Sequence, residues 1–414
     1  MKLLIASGSF KDVFTSGEAC SMLSEILPAS GGITSDICPV CDGGEYTLST
    51  LLSFFTNDKK NKLSTEKEQP GSGPSLRQNE VITVENVINP YGKPVSVQYL
   101  AHNNAAYIVS SEILHLNLDE DEYKNPLRLT DYGLGQLIAD AISKGYKDIR
   151  LCLGGTSTVG YGMGTIQALG AEFYDESGST ITEPVTPADY LRVSRINFKT
   201  EKYPGIRLSV INDGVTRASD LDVVTPLKIG ESFACQKAEI LSAVDAACDK
   251  VYELTGLTPD DAWSGNGGGI YFGVEKMFNA EYYKGADYFC DLFGLDEKIA
   301  AVDAVITGEG RFDNPHLKKI PIVVAERAKK YNKPVIFTCG QIAPEWKAAC
   351  SCLGDGIYSS EELKNNYGID LILSCTEYYE KYSIETSKSV FAKYTPIILK
   401  ERLDRVFDSG LLEN

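Results

Sequence analysis

Residues 302–313 combine a short apolar run with three charged side chains at alternate positions. Residues 302–306 are apolar and rich in β-branched side chains, which predicts a buried strand that ends at the glycines following it. Glu309, Arg311 and Asp313 come next, and we expect them in a loop at the carboxyl end of that strand, where open α/β sheets bind ligands. Two carboxylates can hold a divalent cation, and a guanidinium can grip a carboxylate or phosphate. The same pattern would also suit a solvated turn with an Asp or Glu helix cap.

Other polar or glycine-rich turns follow predicted strands elsewhere in the chain. They lie around Lys11, at residues 42–47, at residues 154–158 and around Asp213. Each of them could simply begin a helix, because Ser, Thr, Asp and Gly are the residues that caps need. Together they supply carboxylates for Mg²⁺, hydroxyl and N–H groups for phosphate, and cations for developing charge, which is what phosphoryl transfer requires. The sequence contains neither a P-loop motif nor the residues of protein kinases.

The elements around these turns predict an α/β protein with two domains. Strand, polar turn and helix repeat twice near the amino terminus and alternate again near the carboxyl terminus, which is typical of a parallel sheet covered by helices. Residues 57–80 interrupt the pattern with a polar, Gly/Pro/Ser-rich connector, and consecutive strands joined by turns follow it. We therefore predict one α/β domain formed by residues 1–75 and 290–414, and an inserted mixed α/β domain at residues 76–289.

Composition and charge limit the classes of partner. The net charge of −17 and the absence of any basic run argue against binding nucleic acid or an acidic membrane surface, which needs a basic patch. No run of 18 apolar residues occurs, and the amino terminus predicts a first strand and not a signal peptide. Eleven cysteines without a signal are typical of reduced thiols in a cytoplasmic protein. Cys38 and Cys41 have redox or metal spacing but no second pair nearby, so a Cys-based redox protein is a weaker alternative.

The order and wording of the turns resemble the bacterial-type glycerate kinase family over nearly the whole chain. Residues 39–47, Pro-Val-Cys-Asp-Gly-Gly-Glu-Tyr-Thr, resemble the family's Pro-Val-Ala-Asp-Gly-Gly-Glu-Gly-Thr. Residues 154–158 and 167–170 are similar to its Gly-Gly-Ser-Ala-Thr and Gln-Ala-Leu-Gly, and residues 306–313 match Ile-Thr-Gly-Glu-Gly-Arg-Ile-Asp except at position 312. The resemblance implies a flavodoxin/Rossmann-like domain with an inserted second domain, and ATP-dependent phosphorylation of a hydroxyl of D-glycerate to 2- or 3-phosphoglycerate.

The resemblance also implies roles for individual side chains. We expect Asp42, Glu45 and Glu309 to contact Mg²⁺ or a substrate hydroxyl, with Asp42 and Glu309 as the metal ligands. Lys11 and Arg311 are expected to bind phosphate or the carboxylate of glycerate.

Further positions are expected to serve the cofactor or the proton transfer. Asp213 and Asp313 are second-rank candidates for metal binding or for the general base that a hydroxyl nucleophile needs. Backbone and hydroxyl donors for an anionic group of ATP are expected at Gly154, Gly155, Thr156, Thr158, Gly308 and Gly310. We keep a homodimer as a candidate assembly.

The chain departs from the family pattern inside these same turns. Gly8 stands where the family has Asp, Tyr46 replaces a glycine, and Val-Gly at residues 159–160 replaces Asn-Asp. Loss of a positioned general base typically lowers a rate by roughly 10²- to 10⁴-fold. Two alternatives therefore stay open: an active kinase, for glycerate or another small hydroxy acid, and a diverged relative that binds ligand with weak or no turnover.

Overall fold

The chain divides into two compact units, one made from both chain ends and one from the middle. Met1–Asp42 and Ala286–Asn414 form the first unit, and Gly43–Gly285 form the second. The structure, a computed structural model, describes residues 1–10, 13–28, 32–62, 80–115, 123–212, 214, 216–220, 225–258, 263–385 and 387–412. No helix in these ranges is both long enough and apolar enough to cross a membrane.

The first unit begins with a strand, a helix and a second strand. These are β1 (Lys2–Ile5), α1 (Ser16–Glu25) and β2 (Thr34–Ile37), and β2 pairs with β1 in parallel. A capping box starts α1, because the Thr15 side chain accepts from the Glu18 N–H at 3.2 Å and the Glu18 carboxylate accepts from the Thr15 N–H at 2.8 Å. Thr15 and Glu18 therefore fix the residue at which α1 begins.

The second unit is built around a mixed sheet. Its strands are β3 (Glu80–Ile88), β4 (Pro94–His102), β5 (Ala105–Val109), β6 (Asp148–Leu153), β7 (Glu172–Asp175), β8 (Thr180–Ile181), β9 (Val193–Asn197), β10 (Arg207–Asn212) and β11 (Glu281–Lys284). Six of them form a sheet in the order β11-β10-β6-β5-β4-β3, and β8-β7-β9 form a smaller one. Strands β5, β6, β10 and β11 are parallel, whereas β3 and β4 form an antiparallel edge, as expected for a mixed α/β domain.

Helices cover this sheet and carry the connections. They are α2 (Thr47–Lys62), α3 (Ser111–Leu114), α4 (Tyr132–Ser143), α5 (Met163–Ala168), α6 (Lys237–Thr255), a helical turn α7 (Asn266–Gly269) and α8 (Tyr271–Phe278). Short 3-10 helices occur at Pro126–Arg128, Pro187–Arg192, Thr200–Lys202, Ala218–Asp220, Thr225–Lys228 and Glu231–Gln236.

The first domain boundary differs from the predicted one. We predicted it at residue 75, but the structure places it between residues 42 and 43. The reason is that α2 packs on β4 and β5 of the second unit. Phe55 of α2 is buried there, stacked on His102 with ring centroids 3.8 Å apart and tilted against Tyr107. The predicted boundary at residue 75 lies outside the described residues, and α2 before it and β3 after it both belong to the second unit.

The remaining elements return the chain to the first unit. They are α9 (Gly285–Leu292), α10 (Leu295–Ala300), β12 (Ala304–Phe312), a 3-10 turn at Pro315–Leu317, α11 (Ile320–Lys330), β13 (Val335–Ile342), α12 (Pro344–Ala349), β14 (Ser351–Gly354), β15 (Ile357–Ser359), α13 (Glu361–Tyr367), β16 (Leu371–Ser374), α14 (Thr376–Lys381) and α15 (Lys388–Asp408). The sheet order is β14-β15-β16-β13-β12-β1-β2, parallel from β16 to β2 and antiparallel at β14 and β15.

The parallel part of this sheet has the flavodoxin-like strand order. Read as β2-β1-β12-β13-β16 it is the order 2-1-3-4-5, which confirms the predicted parallel sheet built from both chain ends. Buried apolar side chains such as Leu3, Ile306, Ile336 and Leu373 form its core against helices on the sheet. The strand order reverses between β1 and β12. Open α/β sheets bind ligands beside the carboxyl ends of the two strands at such a point.

Strand β12 is longer than its sequence suggested. We expected the strand to stop at Gly308, but it continues to Phe312 because β13 stays paired with it throughout. Glu309 lies opposite Cys339 and Arg311 lies opposite Gln341 in this register. The expectation that these two charged residues occupy a loop is therefore wrong: they project from the carboxyl end of a central strand, which holds them more rigidly than a loop would.

Candidate active site

The turn after β1 is fixed to β12 at the point where the strand order reverses. The Gly8 N–H and the Ser7 hydroxyl both donate to the Gly308 carbonyl oxygen, each at 3.0 Å. The Ser16 hydroxyl at the start of α1 donates to the Ser7 carbonyl at 2.6 Å and accepts from the Val40 N–H at 3.0 Å. These bonds position the backbone that follows β1 next to the charged end of β12.

Charged side chains gather around Glu309. The pKa of Glu309 is raised to about 7, mainly by burial; Lys319 acts to lower it, and the negative charges of Asp313 and Asp42 act to raise it. Asp313 lies 3.8 Å from the Lys319 ammonium and 3.8 Å from the Arg311 guanidinium. Both contacts are long and both cations are exposed, so these pairs stabilise the fold little and leave the cations available for an anionic ligand. The structure thus brings together four of the predicted site residues, Asp42, Glu309, Arg311 and Asp313.

A cation such as Mg²⁺ fits the oxygen donors of this cluster. The residues described include no group of three or more His, Cys, Asp or Glu side chains arranged to hold a metal ion. Mg²⁺ does not need one, because it usually keeps several waters and binds through one or two carboxylates and substrate phosphates. Burial is the main cause of the raised pKa of Glu309, and the negative charge of Asp42 adds to it; a divalent cation beside the two carboxylates would offset their repulsion.

We expect the stability of the protein to depend on the protonation of Glu309. Because its pKa is raised in the folded state, folding is favoured below about pH 4.5, and this contribution is lost as the pH rises towards 7. Glu309→Gln cannot ionise, so the stability of this variant does not fall with pH in this way. Between pH 5 and pH 8 its melting temperature should therefore rise relative to that of the wild type, by the equivalent of at most about 3 kcal/mol in the free energy of unfolding. Melting curves of both proteins across this range test it. Glu345→Gln, at an exposed glutamate of the same unit, is the control, and an equal gain there would contradict the prediction.

A second set of predicted residues lies in the second unit, after β6. The Gly154 N–H donates to the Ser110 hydroxyl at 3.2 Å, and this hydroxyl donates to the Gly154 carbonyl at 3.3 Å. Gly155 has φ +64°, and a Cβ there would lie 2.9 Å from Cγ of Glu45. The structure therefore places the Glu45 side chain directly against the glycine turn, where only a residue without a side chain fits.

Two buried polar side chains near this turn lack hydrogen-bond partners among the described residues. The Thr158 hydroxyl is fully buried and unpaired, while its carbonyl accepts from the Lys228 ammonium at 2.8 Å. Asn212, the last residue of β10, is 1% exposed, and neither atom of its amide has a partner in these ranges. Buried polar groups are normally satisfied, so both side chains indicate a place where a polar ligand or water completes the hydrogen bonding.

Asn212, Ser110 and Lys319 were not among the candidate site residues predicted from the sequence, although residues close to each of them were. A polar residue that closes a parallel strand is the signal that could have identified Asn212 and Ser110. Lys11 and Asp213, both predicted as site residues, lie outside the described residues.

Tyr46, which replaces the family's glycine, has a left-handed backbone with φ +65°. Its carbonyl accepts from the hydroxyls of Ser49 and Thr50 at 2.8 and 3.0 Å, which anchors the start of α2. An L-residue pays a steric penalty in this conformation, and residues held in it tend to occur at functional sites. The conformation explains why a glycine suits this position.

The cysteine pair gives no support to a redox site. Every one of the eleven cysteines is a free thiol. Cys38 and Cys41 are buried, and burial raises the pKa of the Cys38 thiol. A thiol of this kind is a poor nucleophile, because the thiolate is the reactive form.

Comparison with known proteins gives one consistent family. The model of the glycerate kinase family matches residues 3–366. The chain is 30% identical to a glycerate kinase of Neisseria meningitidis serogroup B, with 83% of this chain and 87% of that protein covered. It is 26% identical to a glycerate 2-kinase of Escherichia coli K12, with 83% and 86% covered. In fold it resembles the crystal structure of a candidate glycerate kinase 2 from Salmonella typhimurium LT2, with a TM-score of 0.67, 21% identity and 99% of both chains covered. The family match spans most of both units, and this chain therefore belongs to the glycerate kinase family.

Proposed function

We propose that this protein transfers the γ-phosphoryl group of ATP to a hydroxyl of glycerate. The observation that carries the proposal is the charged cluster of Glu309, Asp42, Asp313 and Lys319 where the strand order of the first unit reverses. Phosphoryl transfer is catalysed mainly by positioning and by charge stabilisation, and this cluster supplies groups of both signs. The names of the related proteins support glycerate as the acceptor.

Each part of the cluster has a distinct task in this proposal. Asp42 and Glu309 hold Mg²⁺, which supplies positive charge to the phosphate oxygens when it is bound. Lys319 and Arg311 bind the phosphate or the glycerate carboxylate. The hydroxyl oxygen of glycerate attacks the γ-phosphorus, the bond from that phosphorus to the β–γ bridging oxygen breaks, and ADP leaves. The hydroxyl proton passes to a carboxylate, for which Asp313 is the candidate among the described residues.

The second unit has candidate anion and hydroxyl contacts of its own. The backbone N–H groups of residues 155 and 156 bind an anionic group of ATP or substrate, together with the Thr158 hydroxyl, which has no partner among the described residues. Glu45, which lies against Gly155, contacts a hydroxyl of the substrate. Asn212 offers an N–H₂ group that donates and a carbonyl oxygen that accepts at the end of β10, which suits a neutral hydroxyl or amide of the ligand.

A coupled ADP-release assay with Mg-ATP and a panel of small hydroxy acids tests the function. We expect turnover with D-glycerate, less with L-glycerate, and none without Mg²⁺. Nuclear magnetic resonance of the product distinguishes 2-phosphoglycerate from 3-phosphoglycerate. Turnover on a different hydroxy acid alone would contradict the choice of substrate, and nucleotide binding without any turnover would contradict the activity.

The glycine at position 8, where the family has an aspartate, favours a second candidate, a relative that binds ligand with weak turnover, and supplies its test. A Cβ at Gly8 would meet nothing closer than the Gly308 carbonyl oxygen at 3.4 Å, which is ordinary contact. We expect Gly8→Asp to fold, because a Cβ there makes only ordinary contacts, and to lower the Mg²⁺ concentration needed for half-maximal turnover. Gly8→Asn is the uncharged control. An identical Mg²⁺ requirement in all three proteins would show that a carboxylate at this position is dispensable.

A further inference from the structure

Asp131 is a fully buried carboxylate outside the charged cluster described above. It precedes α4 and its exposure is 0%. Its carboxylate accepts from the Gly162 N–H at 3.0 Å, the Thr165 N–H at 2.6 Å and the Thr165 hydroxyl at 3.2 Å. The Thr165 hydroxyl also lies 3.0 Å from the Asp131 carbonyl oxygen. One side chain thus ties the segment before α4 to the segment that leads from the glycine turn into α5.

Gly160 is the position most closely shaped by this carboxylate. A Cβ at Gly160 would lie 2.2 Å from Oδ2 of Asp131 and 2.9 Å from its Cγ, although the backbone φ at Gly160 is not positive. A side chain at 160 and a carboxylate at 131 therefore compete for the same volume. With Asp131 shortened to alanine the conflict would disappear, because a Cβ at 160 would be 3.6 Å from the Cβ of Asp131.

This competition for space between positions 131 and 160 gives a physical explanation for one departure from the family pattern. Residue 160 is glycine where the family motif has an aspartate, and here the carboxylate of Asp131 fills the space beside that glycine. We propose that Asp131 is the positioning residue of the segment 158–165, and that its carboxylate, held at the start of α4, occupies the space that the side chain of an aspartate at 160 would need.

The segment is held from its other side as well, so its position is tightly determined. The Tyr161 N–H donates to the Gly268 carbonyl at 3.0 Å, and a Cβ at Gly268 would lie 1.9 Å from the Thr158 carbonyl oxygen. The hydroxyl of Tyr190 donates to the Gly160 carbonyl at 2.5 Å. Asp131 closes this frame through three donors without any contact to solvent, so it acts through the turn and does not touch a ligand. Burial raises the pKa of Asp131 to about 6, and its hydrogen bonds act to lower it, so the group is charged at neutral pH.

Exchanging the two positions tests the proposal. We expect Asp131→Ala and Gly160→Asp each to lower the melting temperature by at least about 5 °C, the first through unpaired buried donors and the second through overlap and repulsion. The double variant, with alanine at 131 and aspartate at 160, should recover more than half of the summed loss. Asp131→Asn, which keeps the shape but places an amide N–H₂ against a backbone donor, should fall between wild type and Asp131→Ala.

Steady-state kinetics separate positioning from mere stability. The effect on turnover rests on the proposed kinase function, whereas the recovery of melting temperature does not. Each single variant, assayed well below its melting temperature, should raise the KM for ATP at least about tenfold, and the double variant should recover most of this change. A double variant that loses as much melting temperature as the two single changes added together would overturn the proposal. If the double variant recovers melting temperature but the wild-type protein shows no kinase activity, the proposed role of Asp131 is supported and the proposed function is contradicted.

Discussion

Glu309→Gln is expected to lower turnover with Mg-ATP and glycerate by roughly 10²- to 10³-fold, the usual effect of removing one preorganised charged group from such a site. The substitution keeps the shape of the side chain and removes its negative charge. Besides burial, the charges of Lys319, Asp313 and Asp42 all act on the pKa of Glu309 in the folded protein, so the glutamine variant loses the carboxylate on which the charges of this cluster converge. An ADP-release assay over a range of Mg²⁺ concentrations measures the effect, and more Mg²⁺ should recover only part of the activity.

A double-mutant cycle tells metal binding apart from an independent role. If Asp42 and Glu309 bind one ion together, Asp42→Asn alone should lower turnover about as much as Glu309→Gln, and the double variant should lose little more than either. Glu345→Gln, on an exposed helix of the same unit, should keep wild-type turnover. Losses that multiply in the double variant would contradict the shared ion. Full activity of Glu309→Gln would remove this residue from the site altogether.

The parallel sheet could be predicted because its signal is local. Leu3 and Ile5 in β1, and residues 304–306 in β12, are continuous apolar runs, which is how a strand covered on both faces reads in a sequence. The helix of residues 16–25 was predictable for the same reason, since its apolar positions recur on one face and Thr15 and Glu18 form its cap. The rule that open α/β sheets bind ligands at the carboxyl ends of their strands singled out Glu309, whereas the family resemblance implied that Asp42 serves the same site; in the structure the charge of Asp42 acts on Glu309.

The features that the sequence did not reveal depend on distant neighbours. The domain boundary was misplaced because Phe55 packs on His102, a contact that composition cannot report. Asn212 ends β10, and it stands out because neither of its amide atoms has a hydrogen-bond partner among the described residues, which depends on the folded surroundings and not on the local sequence. Asp131 resembled an ordinary helix start, and only the 2.2 Å overlap with a side chain at residue 160 gives it a role.

Gly308→Ala is the second substitution with a large expected effect, and it acts on the fold. A Cβ at Gly308 would lie 2.3 Å from both the carbonyl oxygen and the side-chain oxygen of Thr338 on the neighbouring strand. Thr338 is fully buried and its hydroxyl donates to the Thr307 carbonyl at 3.1 Å, so the strands must move apart. We expect a loss of about 3 kcal/mol or more in the free energy of unfolding, seen as a fall in melting temperature of about 6–12 °C.

Gly8→Ala is the matched control, because Gly8 is hydrogen-bonded to Gly308 and yet a Cβ there would come no nearer than 3.4 Å to any atom. Its melting temperature should stay within about 2 °C of the wild type. Removing the Thr338 side chain should not rescue Gly308→Ala, because the carbonyl oxygen of Thr338 would be just as close as its hydroxyl. If Gly308→Ala kept its melting temperature and lost only affinity for ATP, approach of the cofactor would explain this glycine. Loss of stability together with turnover would instead assign it to the spacing of β12 and β13, which carries Glu309 at the next position.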